Sequence, residues 1–347
     1  MKKERNLYID VLKAITILLV VIGHCIQYGA GKDFLLYGGF FYNKTYIFIY
    51  SFHMPLFMLI SGYMFFQSAK TKKCKTLLFV KFKQLIIPLF CWSFISLIVE
   101  VIKILAGVST HEFGFIWIFQ TILASFWGGP WFLWALWWSS LLIIIGRKFL
   151  KDNLFFYIGV CVLTLFIPDF NNSAVIKFTL PFFVSAYLFH KYDLLSKFKD
   201  VFTQTAFALV SFVIFLILLR FYNFNSFIYT SGYYILDKDI LFQLHNDFYR
   251  FFVGIFGSIS TMCFVYALMN ILPQVVKKSL AYVGTCTLGI YLISNYLFDE
   301  VLKRIPIPTL NFWYVALEVI CVLAITISLT TLLKKNNITN RLFLGGR

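Results

Sequence analysis

The chain has 347 residues, 60% of them hydrophobic and 20% aromatic, with 13% charged and a mean hydropathy of +0.81. That balance lies outside the range of soluble globular domains and reads as an all-α, polytopic membrane protein. The formal net charge of +16 does not point to nucleic acid, because the basic residues stand in short clusters between apolar runs, the pattern that orients a membrane protein in its bilayer.

The N-terminal MKKERNLYID has no small-residue cleavage site and leads into a span-length apolar run, so the first hydrophobic segment reads as a retained helix. With about 20 apolar residues per crossing, spans are expected near 6–28, 45–67, 84–106, 131–147, 153–169, 174–190, 201–220, 248–271, 280–302 and 311–333, about ten in a single transmembrane domain over 1–347. FGFIWIFQTILASFW at 113–127 reads as a re-entrant or interfacial helix. Lys and Arg collect on alternate connections: Lys2, Lys3 and Arg5, then Lys70 to Lys83, Arg147 to Lys151, Lys191 to Lys199, Lys277 and Lys278, and Lys334 to Arg347. The positive-inside rule then places both termini in the cytoplasm and the connections 29–44, 107–130 and 221–247 outside. The halves share no internal repeat, which weighs against inverted-repeat transporters. The seven cysteines form no C-x-x-C pair, and most sit in apolar runs as small hydrophobes. No metal site is expected.

Ionisable groups at bilayer depth are costly and mark functional sites. On the first helix Asp10, Lys13 and His24 share one face: Lys13 and His24 differ by about 20° after three turns, with Asp10 about 60° to one side. His24 lies about 16 Å further along the axis than Lys13. Thr16 and Gln27 continue the stripe. A plain interfacial Asp10–Lys13 pair and a structurally bonded His24 are the bland alternatives. In FHMPLFMLISGYMFF, His53 stands two residues before Pro55, at a depth comparable to His24, while a Pro-kinked packing helix is the structural reading. Lys81 and Lys83 close the most basic connection, as orientation signal or as an anion site for a phosphate-bearing cytoplasmic donor. Glu100 and Lys103 read as a structural ion pair. Trp131, Trp134 and Trp138 share a face at the outer surface, as an interfacial belt or a sugar-stacking platform.

Taken together, RNLYIDVLKAITILLVVIGH at 5–24, FHMPLFMLISGYMF at 52–65, KFKQLIIP at 81–88, PWFLWAL at 130–136, LPFFVSAYLF at 180–189 and TLGIYLIS at 287–294 resemble the acyltransferase-3 family of bacterial integral membrane acyltransferases, especially its fucose 4-O-acetylase-like branch. The resemblance implies about ten membrane helices and transfer of an acyl group, usually acetyl, from cytoplasmic acyl-CoA to a glycan, lipid-linked sugar or other surface acceptor. Acyl-CoA enters as a donor substrate, and no tightly bound cofactor is implied. The family's first-helix motif, a basic residue, ten intervening positions and a histidine, is matched by Lys13 and His24, with Lys where Arg is common. His24 thereby inherits the presumed catalytic role, Asp10 and Arg5 match the polar lead-in, and His53 matches the second motif. Ser294 and Asn295 stand where many relatives have a late histidine.

The expectation is therefore an O-acyltransferase of the bacterial inner membrane acting on a surface polysaccharide or its lipid-linked precursor. His24, His53 and Asp10 would carry the chemistry, with Lys13, Arg5, Lys81 and Lys83 on the donor and Trp131 and Trp134 on the acceptor. The competing class is a transporter or exporter of a glycan or small solute whose path is lined by the same stripe. A membrane-embedded partner of glycan-assembly enzymes is a third.

Overall fold

A computed structural model describes residues 6–29, 37–109, 111, 114–193, 201–305 and 311–346, with the backbone alone for 201–204. Among the described residues sixteen α-helices follow in order: α1 Leu7–Tyr28, α2 Lys44–Tyr50, α3 His53–Ala69, α4 Cys74–Lys81, α5 Ile87–Leu105, α6 Phe115–Gly128, α7 Trp131–Phe149, α8 Leu154–Leu163, α9 Ser173–Lys191, α10 Val201–Leu219, α11 Ile228–Ser231, α12 Ile240–Ile271, α13 Gln274–Thr285, α14 Thr287–Glu300, α15 Phe312–Lys335 and α16 Asn337–Leu344. No strand occurs among the described residues. Each of the ten expected spans contains helix.

Among the described residues, seven helices are long and apolar enough to cross a membrane, or eight when α13 and α14, bent by 64°, are counted as one crossing. Three shorter apolar helices, at 115–128, 154–166 and 205–219, complete the set. Ile98 and Ile102 of α5, Leu209 and Ile217 of α10 and Leu317 and Ile320 of α15 stand exposed. Apolar side chains turned outward on span-length helices are what a lipid solvent requires.

Two spans are interrupted where hydropathy shows continuity, and one helix starts earlier than expected. Pro55 has no N–H to return to Ser51, and the chain breaks at Ser51–Phe52, so that proline falls in the first turn of α3 where no donor is needed. Pro88 cannot bond back to Gln84, and the turn ahead of it widens into a π segment over Phe82–Ile86, the Ile87 N–H reaching Phe82. At the other end, α12 starts at Ile240, well before the expected 248, with the Asp239 side chain capping the Phe242 N–H.

The first helix organises the bundle. Asn6 caps it by accepting from the Ile9 N–H, and α1 then packs against α2, α3, α12, α13, α14 and α15. Its polar stripe is thus held between neighbours and away from lipid. The pair α3–α9 forms the second axis of the core, through Phe65, Phe183 and Tyr187.

Candidate functional site

Gly23 and the break at Ser51–Phe52 create the site. Tyr50, the last residue of α2, lies flat against α1 because position 23 carries no side chain: a Cβ there would stand 2.7 Å from Tyr50 Cε2. The Tyr50 hydroxyl consequently reaches both Oε1 of Gln27, at 3.0 Å, and Nδ1 of His24, at 3.1 Å. Nδ1 of His24 also faces Oε1 of Gln27 at 3.3 Å. With the Gln27 amide so oriented, its oxygen only accepts; Tyr50 O–H donates to it, and His24 carries its proton on Nδ1.

His53 is held in the same way from another side. Ile49 lies in the last turn of α2, and its carbonyl accepts the His53 Nδ1–H at 2.8 Å besides the Phe52 N–H at 3.3 Å. The imidazole is 3% exposed and its ring centroid lies 4.7 Å from that of Tyr50. The His24 ring meets Tyr50 at 6.0 Å and Phe298 of α14 at 5.0 Å. Two imidazoles therefore flank one tyrosine. Every hydrogen bond that either makes among the described residues is at Nδ1, so each keeps the basic lone pair on Nε2.

At the opposite end of α1, Asp10 is 5% exposed and pairs with Lys13 Nζ at 2.7 Å. The shared helix face thus carries a buried ion pair at one depth and the imidazole cluster at another. Thr16 between them returns its hydroxyl to the Leu12 carbonyl at 2.7 Å. Lys81 and Lys83 stand on a different helix, at the entry to the π segment, with Nζ 5.3 Å over the Phe65 ring and 4.3 Å over the Phe79 ring respectively. Arg5 lies outside the described residues.

Trp134 is committed to internal packing. Its indole N–H donates to the Phe126 carbonyl at 2.8 Å and its ring stacks on Trp127 at 4.7 Å, which joins α7 to α6. Trp131 is half-buried, and neither indole contacts the imidazoles. Ser294 is buried and turns its hydroxyl to the Tyr291 carbonyl of its own helix at 3.2 Å, so it does not substitute for an imidazole. Lys103 bridges Glu100 and Glu300, each at 2.5 Å, which extends the expected i,i+3 pair into a tie between α5 and α14.

Sequence reasoning missed Tyr50 and the buried polar turn of α12, where Arg250 is 2% exposed and pairs with Asp247. A small cavity of about 20 Å³, enough for one water, lies between Tyr50 and Arg250 under residues 222–229. A larger apolar groove of about 450 Å³ between α10 and α12, lined by Leu218, Phe248, Phe252 and Phe256, includes none of the α1 residues.

Residues 6–335 match the acyltransferase domain of the acyltransferase-3 family. The nodulation protein NolL of Mesorhizobium japonicum is 28% identical over 190 residues, 54% of this chain and 48% of that protein. NolL of Sinorhizobium fredii is 29% identical over 193 residues, 54% of this chain and 49% of that one. The chain thus spans about half the length of these curated relatives. No solved structure matches it.

Proposed function

The chain belongs to the acyltransferase-3 family, and from that premise we propose that it is a multi-pass O-acyltransferase of the bacterial inner membrane. It moves an acyl group, acetyl in the first instance, from cytoplasmic acyl-CoA to a hydroxyl of a surface polysaccharide or lipid-linked glycan, as in the fucose 4-O-acetylase-like branch. The ten apolar segments form ten crossings with both termini cytoplasmic, on the Lys and Arg distribution. Asp10 and Lys13 then face the donor side and His24 the acceptor side.

The observation that carries this reading is the anchoring of both imidazoles at Nδ1. A histidine held there by acceptors has a fixed ring and tautomer, with its base aimed elsewhere, the arrangement that general base catalysis needs. His24 removes the proton from the acceptor hydroxyl as its oxygen attacks the thioester carbonyl. A C–O bond forms, a tetrahedral oxyanion develops, and collapse breaks the C–S bond. The proton taken by His24 returns to the leaving sulfur, giving CoA as free thiol and an ester. His53 assists beside it, its Nδ1–H kept by Ile49 and its own Nε2 lone pair free, while neighbouring donors steady the oxyanion. Tyr50 fixes the separation of the two rings. Lys13, supported by Asp10, and the lysines at 81 and 83 supply positive charge for the donor's phosphates, with Arg5 adding to it.

Comparing the ester content of surface glycans from wild-type cells, gene-deleted cells and deleted cells carrying His24→Ala tests the proposal. One ester should vanish on deletion and stay absent with His24→Ala although the protein reaches the membrane. Unchanged glycans in deleted cells would refute it. In the transporter reading the α1 stripe lines a path; purified protein would then consume no acyl-CoA.

A further inference from the structure

Residues 222–234 form a roof over the imidazole end of the bundle, and the roof is fastened by one buried ion pair, Asp247–Arg250, and one partly exposed pair, Asp169–Lys177. Asp169 accepts from the backbone N–H groups of Tyr233 at 2.7 Å and Tyr234 at 3.2 Å through one carboxylate oxygen, while the other pairs with Lys177 at 2.6 Å. Gly232, at φ +73°, leaves room for that carboxylate and offers its carbonyl to Arg250 Nη1 at 3.0 Å and Gln243 Nε2 at 3.1 Å. Arg250 also donates from Nε to the Asn246 carbonyl and from Nη2 to Asp247. The arginine is therefore a fastener, with each of its three nitrogens engaged.

Its helix neighbours are not. Gln243, Asn246, Asp247 and Arg250 share one face of α12 by their spacing, and Gln243 and Asn246 are 0% and 6% exposed. Yet Gln243 Oε1 and Asn246 Nδ2 are buried without a hydrogen-bond partner. Native interiors leave few such atoms, and each calls for a reason. Here one is an acceptor and the other a donor, about two turns and one turn before the arginine that walls the Tyr50 cavity.

We propose that Gln243 and Asn246 form a subsite for the neighbouring hydroxyl groups of a neutral polyhydroxylated acceptor, a sugar ring whose reacting hydroxyl is presented to the imidazoles flanking Tyr50. A hydroxyl both donates and accepts, so adjacent hydroxyls satisfy both orphan atoms. A phosphate or carboxylate offers only acceptors and satisfies Asn246 alone; an alkyl chain satisfies neither. The proposal rests on the acyl-transfer reading for the identity of the reaction, but sugar binding needs no donor and is measured separately.

The test uses the purified full chain in detergent and follows thermal unfolding with methyl hexopyranosides, sodium sulfate or octanol, alongside acyl transfer to the same hexosides. Ligand that binds the folded state raises the melting temperature. The wild type should be stabilised by at least one hexoside and by neither sulfate nor octanol. Asn246→Leu removes the orphan donor, so without ligand it should melt at or above wild type, lose the hexoside shift and raise the acceptor KM about tenfold or more at little changed kcat. If that variant does not fold, Asn246→Ser serves for the same comparison. An undiminished hexoside shift and KM in the variant overturn the proposal, as does a wild type that responds to none of the hexosides or better to sulfate or octanol. Hexoside binding without acyl transfer would sink the acyl-transfer reading alone, whereas transfer indifferent to Asn246 would sink only the subsite.

Discussion

Tyr50 Oη stands 3.1 Å from Nδ1 of His24, although the two residues belong to different helices and meet only because the chain breaks after position 50. The hydroxyl holds the imidazole from the side opposite its working nitrogen. Tyr50→Phe keeps the ring and its packing but removes that hold. It should lower kcat about 10–100-fold, the usual cost of losing a group that orients a functional histidine, with the melting temperature nearly unchanged. Steady-state kinetics and thermal unfolding on the same preparation check this.

Gly23 is the second support of the same contact. Gly23→Ala would place a methyl group 2.7 Å from Tyr50 Cε2, and displacing a packed ring typically costs about 1–3 kcal/mol. Activity should fall at least as far as in Tyr50→Phe. Combined, the two changes should be clearly less than additive in activity, because both act through one hydrogen bond. A double-mutant cycle on kcat measures it.

Much of this was legible in the sequence. The periodicity of α1 places Asp10, Lys13 and His24 on one face, and the structure holds that face inside the bundle. His53 was legible from its nearness to Pro55. Tyr50 was not, because hydropathy runs unbroken through 45–67 and gives no sign that the helix stops at Ser51–Phe52. The polar turn of α12 was hidden for a related reason: Gln243 to Asp247 precede the apolar run and resemble the end of a loop, whereas Asp239 caps a helix that starts at Ile240. The bend between α13 and α14 falls at Cys286, with no proline to announce it. Trp134 reads as an outer-surface aromatic, but the neighbouring 115–128 helix folds against it.

The Asp247–Arg250 pair should be indispensable as a pair and replaceable as a pair. Both side chains are buried, at 7% and 2% exposure. Asp247→Ala leaves a guanidinium uncompensated in the interior, at a cost of about 3–5 kcal/mol, and should abolish accumulation of folded protein. Asp247→Leu with Arg250→Met removes both charges and should restore much of the lost accumulation, although the clasp on Gly232 is weakened. Fluorescence-detected size exclusion of tagged variants checks both.

Lys13 should matter to the donor and not to the acceptor. Lys13→Met keeps an unbranched side chain but removes the charge beside the buried Asp10 carboxylate. The expected result is an acyl-CoA KM raised about tenfold, roughly 1.4 kcal/mol, with the acceptor KM unchanged. Lys13→Arg should retain most donor affinity, since the charge is kept and guanidinium matches phosphate at least as well.

Release of free CoA by purified protein, followed as thiol in the presence of acetyl-CoA and acceptor glycan, tests the central claim most directly. Wild type should release thiol only with acceptor present, in step with ester formation, and His24→Ala should reduce that rate by about 100-fold or more while eluting and melting as wild type does. Thiol release by His24→Ala at the wild-type rate, or none by the wild-type protein, would contradict the account.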